Sequence, residues 1–177
     1  MSVNRSGMKP RARVLQCLSF AVAAMVLLAP VQEAAAEKFR AFKLENLAGE
    51  TIELEDLQDK ATLIAFFFPT CPYCNEAFPE TVQIYEKYKD QGLSMVWINL
   101  VEEEVDLIPE WLAAHQYDVP VLVGASMQYL AQRYDLRVTP EHLIIDADRE
   151  VLFRQRGYEE GYGAELEANV RQALNLD

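Results

Sequence analysis

The feature that most constrains this chain is a continuous apolar run, TLIAFFF at 62–68, which is followed after two residues by the sequence C-P-Y-C at 71–74. A run of seven apolar residues with aromatic and β-branched side chains is typical of a strand that is buried on both faces. The sequence therefore predicts a central strand, a very short loop, and a second element that begins with the two cysteines.

The second element is predicted to be an amphipathic helix that begins at Pro72, since proline is well tolerated in the first helical turn. The apolar side chains predicted to form its buried stripe follow helical spacing: Cys74, Phe78, Val82 and Tyr85. Gly92 is predicted to end this helical region, because glycine readily adopts the left-handed conformation found after helices.

The rest of the chain alternates between predicted strands and helices, which indicates a layered α/β sheet. The predicted strands are two short ones within 42–54, then 93–100, 119–123, 142–146 and 151–155. The predicted helices cover 105–115, with Pro109 as an alternative start, 126–134, capped by Ser126, and 160–174. No repeat or linker divides this part of the chain.

Composition excludes several classes of protein. Half of the 177 residues are hydrophobic and a quarter are charged, which is typical of a globular domain and not of a disordered chain. The formal net charge is −12. Because nucleic acids and anionic membranes attract basic surfaces, we expect no nucleic-acid partner.

Residues 1–36 have the pattern of a signal peptide. Basic residues precede an apolar run at 14–29, and small residues at 34–36 form a cleavage site before Glu37. The run is short of the roughly 20 residues that a membrane span needs, so a retained anchor is the weaker alternative. We therefore predict export to the periplasm and a folded domain at 37–177, with Cys17 lost and a charge of −15.

Cys71 and Cys74 are then the two cysteines of the exported domain. Free N–H groups and the helix dipole at a helix N-terminus stabilise a thiolate, so Cys71 is predicted to be the exposed nucleophile. Cys74, one turn later on the buried stripe, is predicted to attack the resulting mixed disulfide. A half zinc site would need further ligands, and His115 and His142 lack a close paired spacing. A purely structural disulfide across so small a loop would stabilise little.

Residues 39–175 resemble the TlpA-like branch of the thioredoxin superfamily, which are exported thiol–disulfide oxidoreductases. The resemblance is carried by FKLENLAGETIELEDLQDKATLIAFFFPTCPYCNEAFPE and by RVTPEHLIIDADREVLF. It implies a thioredoxin-like α/β fold, with a central mixed β-sheet flanked by helices and an N-terminal β-hairpin. It implies a kink at Pro79 and a cis peptide bond before Pro140. The expected substrate-binding residues are Pro72, Tyr73, Thr139 and Pro140.

The resemblance also implies partners and chemistry. The redox-active disulfide Cys71–Cys74 would be the working group, with no other cofactor and no metal. The expected partners are protein thiol or disulfide substrates, apocytochromes among them, and a membrane protein that donates electrons to a monomeric enzyme. Whether the protein reduces or oxidises its targets is left open by the Pro-Tyr dipeptide.

Several positions depart from the expected pattern, and one of them is the turn at 146–149, which lacks the usual glycine. In the family, tryptophan usually precedes the first cysteine and a glutamate often follows the second by three residues, and in ordinary thioredoxins an aspartate is buried six residues before the first cysteine. The corresponding residues here are Thr70, Ala77 and Ala65. The acid that would relay a proton to Cys74 is therefore not identified. The candidates are Glu76, Glu80 and Glu102.

Two other functions occur on related folds. Copper chaperones of the Sco type use a cysteine pair and a distal histidine, for which His142 is the candidate, but their cysteines have C-x-x-x-C spacing. Peroxide reduction of the peroxiredoxin type needs a threonine three residues before the cysteine, where this chain has Phe68.

Overall fold

The computed structural model describes residues 37–176, which form a seven-stranded mixed β-sheet with helices against both faces. The strands are β1 (Lys43–Asn46), β2 (Thr51–Glu53), β3 (Ala61–Phe67), β4 (Leu93–Asn99), β5 (Val121–Val123), β6 (Glu141–Asp146) and β7 (Val151–Arg156). The helices are α1 (Pro72–Tyr88), α2 (Ile108–His115), α3 (Met127–Tyr134) and α4 (Tyr162–Ala173). The predicted signal peptide at 1–36, with its cleavage or retention, lies outside the described residues.

The strand order across the sheet is β2-β1-β5-β4-β3-β6-β7. Strands β3, β4 and β5 are parallel to one another, whereas β1 and β2 on one side and β6 and β7 on the other pair antiparallel. The expected mixed sheet with an N-terminal hairpin is therefore confirmed. Within residues 37–176, no helix combines the length and apolar character needed to cross a membrane.

The apolar run of β3 is continuous because this strand lies at the middle of a sheet that is covered on both faces. All seven of its residues are buried. Leu63, Ala65 and Phe67 belong to the core on the face that packs with α1 and α4. Ile64 and Phe66 belong to the opposite core, which contains residues of α3 and the segment before β1. Strand β3 therefore carries the start of α1 on a rigid support.

Helix α1 begins at Pro72 as predicted, but its buried stripe is rotated from the predicted one. Val82 and Tyr85 are only half-buried, whereas Thr81 is fully buried. The Thr81 hydroxyl donates to the Ala77 carbonyl at 3.1 Å and lies 3.1 Å from the Tyr162 hydroxyl of α4. Because α1 packs against α4 as well as the sheet, a polar side chain with partners is buried there, which an apolar pattern does not reveal.

Two other helices begin later than their predicted ranges. The predicted helix at 105–115 divides into a 3₁₀ turn, Glu102–Leu107, and α2, so the alternative start at Pro109 is correct to within one residue. Helix α4 begins at Tyr162 because Gly161 has a φ of 88°, which is outside the helical region. Ser126 caps α3 as predicted, since its side chain accepts from the backbone N–H of Tyr129.

Candidate active site

The two cysteines lie at the point where the central strand passes into α1. Strand β3 ends at Phe67, and Cys71 is the N-cap of the helix that begins at Pro72. The Cys71 sulfur accepts a hydrogen bond from the backbone N–H of Cys74 at 3.2 Å. The first turn of α1 carries no acidic side chain. The positive end of the helix dipole is therefore directed at Cys71, as the sequence predicted.

Cys71 and Cys74 form a disulfide, with their Cα atoms 5.3 Å apart. The prediction that Cys71 is exposed is wrong for this disulfide state, because Cys71 is only 2% exposed and Cys74 is 0% exposed. Both cysteines belong to the core that packs between the sheet and α1. Both cysteines are therefore buried when they form the disulfide.

Pro72 and Tyr73, between the cysteines, form the exposed part of the motif. Tyr73 is 61% exposed, one of the highest values among the large apolar side chains described. Pro72 is also exposed. Both residues are thus accessible to a partner at the cysteine pair, as the prediction that they bind substrate requires.

Pro140 lies at the same edge of the sheet as the cysteine segment. Strand β6 is antiparallel to β3 with Glu141 opposite Phe66, so Pro140 comes one step further, at the carboxyl end of β3. The Thr139–Pro140 peptide bond is cis, as the family resemblance implied. The Pro140 carbonyl accepts from the Gly157 N–H at 2.8 Å, which ties this loop to the end of β7.

An apolar surface adjoins the loop before Pro140. Val138 and Met127 are both nearly half exposed. Together with Thr139 and Leu136 they line a small cavity of about 140 Å³. The segment next to the cis-proline therefore offers a binding partner both apolar side chains and backbone polar groups.

Asn75 fixes the turn that carries Cys71, and sequence reasoning missed it. Its side-chain amide donates to the carbonyl oxygen of Cys71 at 3.0 Å and to that of Pro69 at 3.3 Å. The amide oxygen accepts from the indole N–H of Trp111, in α2, at 2.9 Å. One side chain therefore links the loop, the first turn of α1 and a second helix.

Glu104 holds the same loop from another side, and it also went unpredicted. Its carboxylate accepts from the backbone N–H of Thr70 at 3.0 Å and from the Thr70 hydroxyl at 2.6 Å. Glu104 stands in an acidic run at 102–104, in which the sequence offers nothing to distinguish one glutamate from the next. The contact depends on the fold, because the two residues are 34 positions apart.

The three carboxylates proposed from the sequence as proton relays are all exposed. Among residues 37–176, Glu76, Glu80 and Glu102 make no hydrogen bond to the cysteine segment. Glu80 lies against Gly163 of α4, where an added Cβ would meet its carboxylate. The structure therefore does not bring any of these three to the disulfide through a hydrogen bond.

His142 is a core residue. Its ring is fully buried, packs edge-to-face against Phe78 with centroids 5.9 Å apart, and has Nε2 3.4 Å from the Thr81 hydroxyl. Burial lowers the pKa of His142 to about 3, so the imidazole is neutral at pH 7. No group of three His, Cys, Asp or Glu side chains within 37–176 is placed to hold a metal ion. The candidate distal histidine of the copper-chaperone alternative is thus a packed, neutral core residue.

Comparison with known proteins agrees with this geometry. The sequence model of the Redoxin family matches residues 34–174. The thiol-disulfide oxidoreductase ResA of Halalkalibacterium halodurans is 27% identical over 111 residues, which cover 63% of this chain and 62% of that protein. ResA of Bacillus subtilis is 28% identical over 111 residues, covering 63% of this chain and 61% of that protein. The match thus spans less than two thirds of the length of either relative.

Solved structures show the fold. A thiol:disulfide interchange protein of the thioredoxin family from Chlorobium tepidum superposes with a TM-score of 0.68 at 21% identity, covering 80% of this chain and 99% of that one. StoA from Bacillus subtilis superposes with a TM-score of 0.60 at 19% identity, covering 75% and 97%. The expected thioredoxin-like fold is therefore confirmed.

Proposed function

The chain belongs to the Redoxin family, and we propose that it is a thiol–disulfide oxidoreductase that exchanges disulfides with exported proteins through Cys71 and Cys74. The observation that carries the proposal is the disulfide at the N-terminus of α1. When a cysteine pair in this position is reduced, the N-terminus of the helix stabilises a thiolate at the first cysteine.

The proposed reaction has two exchange steps. In the reduced protein, the Cys71 thiolate attacks one sulfur of a target disulfide, forms a mixed disulfide and releases the other target sulfur as a thiolate, which takes up a proton. The Cys74 thiol then loses its proton and attacks the Cys71 sulfur, which releases the second target thiolate. The second target thiolate also takes up a proton. Two electrons pass from the cysteine pair to the target, and the two protons come from the Cys74 thiol and from solvent. A dithiol protein must reduce the Cys71–Cys74 disulfide again.

Substrate binding is assigned to the two segments that flank the cysteine pair. Tyr73 and Pro72 offer an exposed surface on one side. The resemblance to TlpA-like proteins supports pairing of the backbone at Thr139, before the cis-proline, with an extended target chain. The apolar cavity beside Thr139 can accept an apolar side chain of the target.

The proposed location is the periplasm, to which the segment 1–36 directs the chain. The basic flank, apolar run and small residues at 34–36 support this proposal. The resemblance to TlpA-like proteins supports exported thiol proteins such as apocytochromes as substrates and a membrane protein as the electron donor. We expect the enzyme to act as a monomer.

The experiment is reduction of insulin by the purified protein with dithiothreitol as the electron source. The wild type should accelerate precipitation of the insulin B chain above the rate with dithiothreitol alone. The double variant Cys71→Ser/Cys74→Ser removes both sulfurs, so it should not accelerate the reaction; circular dichroism checks that the variant is folded. Equal rates for the two proteins would refute the proposed activity, and metal analysis of the same samples tests the copper alternative.

A further inference from the structure

Thr70, the residue immediately before Cys71, is held by a carboxylate from a distant part of the chain. Both of its hydrogen-bond donors point to Glu104: the backbone N–H at 3.0 Å and the hydroxyl at 2.6 Å, one to each carboxylate oxygen. Thr70 is exposed and Glu104 is half-buried. The contact therefore places a carboxylate next to the loop that carries the first sulfur.

The contact has two consequences for a thiolate at Cys71. A hydroxyl and a backbone N–H each have one proton to donate, and in this arrangement both are directed to Glu104. Neither is then available to the sulfur of the next residue, where a hydrogen bond would stabilise the charged form. A nearby carboxylate also disfavours a second negative charge. Both effects act against the stabilisation that the N-terminus of α1 supplies.

Glu104 is distinguished from the other titratable side chains on the surrounding elements by its hydrogen bonds. Those others include Tyr73, Glu76 and Glu80 on α1, Glu102, Glu103 and Asp106 in the 3₁₀ turn, Glu110 on α2, Arg137 before the cis-proline, and Glu141 and His142 on β6. Across the described residues 37–176, none of these side chains hydrogen-bonds to the segment 69–74. Glu104 is thus the charged side chain held directly against the cysteine loop.

We propose that Glu104 is a positioning residue that destabilises the Cys71 thiolate and thereby shifts the cysteine pair towards its disulfide form. The inference rests on the proposed function and deepens it, because it gives the exchange a direction. A dithiol that favours its oxidised form is the stronger reductant. The protein is therefore poised to reduce target disulfides and not to introduce them.

The test compares two variants with the same change in charge. Glu104→Gln removes the charge held against Thr70, whereas Glu103→Gln removes the charge of an exposed neighbour in the same 3₁₀ turn. Two quantities are measured for each protein: the pH midpoint of Cys71 alkylation by iodoacetamide, and the equilibrium constant with glutathione. In that equilibrium the dithiol protein and glutathione disulfide give the disulfide protein and two glutathione molecules, with two electrons and two protons transferred.

For Glu104→Gln we expect the pH midpoint of Cys71 alkylation to fall by about half a pH unit or more. The equilibrium constant with glutathione should change about threefold or more in favour of the dithiol protein, because half a pKa unit corresponds to a factor of about three. Glu104→Ala, which removes the charge and the acceptor together, should shift both quantities in the same direction. Glu103→Gln should match the wild type.

Unchanged values for both Glu104 variants, a shift in the opposite direction, or an equal shift for Glu103→Gln would overturn the inference while leaving the proposed function intact. A wild-type pair that does not exchange with glutathione at all would refute the proposed function, and this inference with it.

Discussion

His142 lies opposite Ala65 in the antiparallel pairing of β6 with β3. Ala65 occupies the position at which ordinary thioredoxins have a buried acid, so the space beneath α1 holds a neutral imidazole beside an apolar methyl group. Burial lowers the pKa of His142 to about 3. No carboxylate from β3 can therefore serve the second cysteine, and His142 remains uncharged across the neutral range.

The first prediction concerns stability against pH. The histidine takes up a proton near pH 6.5 when the chain is unfolded but only near pH 3 when it is folded. Between these values the unfolded state binds more protons, so the free energy of unfolding rises with pH, by up to about 1.4 kcal/mol per pH unit. His142→Gln should remove this part of the slope. The measurement is urea unfolding of the oxidised protein at pH 5 and at pH 7.5.

His115→Gln is the matched control, since this histidine is exposed on α2. The slope of His142→Gln is compared with the slope of this variant and with that of the wild type. A His142→Gln slope as steep as that of the wild type would show that the buried imidazole is not linked to folding.

The second prediction concerns a buried carboxylate next to the cis-proline. Glu141 is fully buried, is paired with Arg154, lies 3.4 Å from Arg156, and accepts from the Arg137 backbone N–H at 3.3 Å. Glu141→Ala leaves a cation without its buried partner and should lower the free energy of unfolding by about 3 kcal/mol or more. Chemical denaturation measures the change.

Glu37→Ala removes the other, exposed carboxylate that Arg154 contacts, at 2.6 Å. Since exposed ion pairs contribute little, its effect should stay below about 1 kcal/mol. Equal losses in the free energy of unfolding for the two variants would contradict the claim that the buried Glu141–Arg154 pair stabilises the fold more than the exposed Glu37–Arg154 pair.

The third prediction concerns the Trp111–Asn75 hydrogen bond. Trp111→Phe keeps an aromatic ring but removes the N–H that Asn75 accepts at 2.9 Å. The free energy of unfolding should fall by about 1 kcal/mol. The exchange rate with glutathione disulfide should also fall, because Asn75 holds the Cys71 carbonyl.

Trp97→Phe is the control, because it reduces the packing of a buried indole without removing a hydrogen bond. Trp97 is fully buried, and within residues 37–176 its indole N–H has no hydrogen-bond partner. This variant should lose stability without a change in exchange rate. If Trp97→Phe slows exchange and Trp111→Phe does not, the role given to Asn75 is wrong.

Much of the fold could be predicted from local patterns. The run at 62–68 indicated the central strand because both of its faces are covered, and Pro72 indicated the start of α1 because proline suits a first turn. The buried stripe of α1 was predicted less well. Thr81 is buried because its hydroxyl finds partners on α1 and α4, and such partners are not visible in a hydropathy pattern.

The site was predicted where its residues are close in the chain and missed where they are distant. The cysteines and Pro140 follow from motifs, but Glu104 and Trp111 reach the loop only through the placement of the segment after β4. Cys71 was expected to be exposed, and the disulfide state buries it. Cys71 belongs to the core cluster between the sheet and α1, and the position of a residue at a helix N-terminus does not reveal such burial.

The central claim, that Cys71 attacks and Cys74 resolves, is tested most directly by trapping. Cys74→Ser and Cys71→Ser are each expressed with the N-terminal segment in a bacterial host that exports the protein, and extracts are run on gels without reductant. Cys74→Ser should accumulate covalent complexes with target proteins that dithiothreitol releases, because the mixed disulfide at Cys71 cannot be resolved. Cys71→Ser should form none. Complexes that accumulate with Cys71→Ser, or with neither variant, would contradict the account.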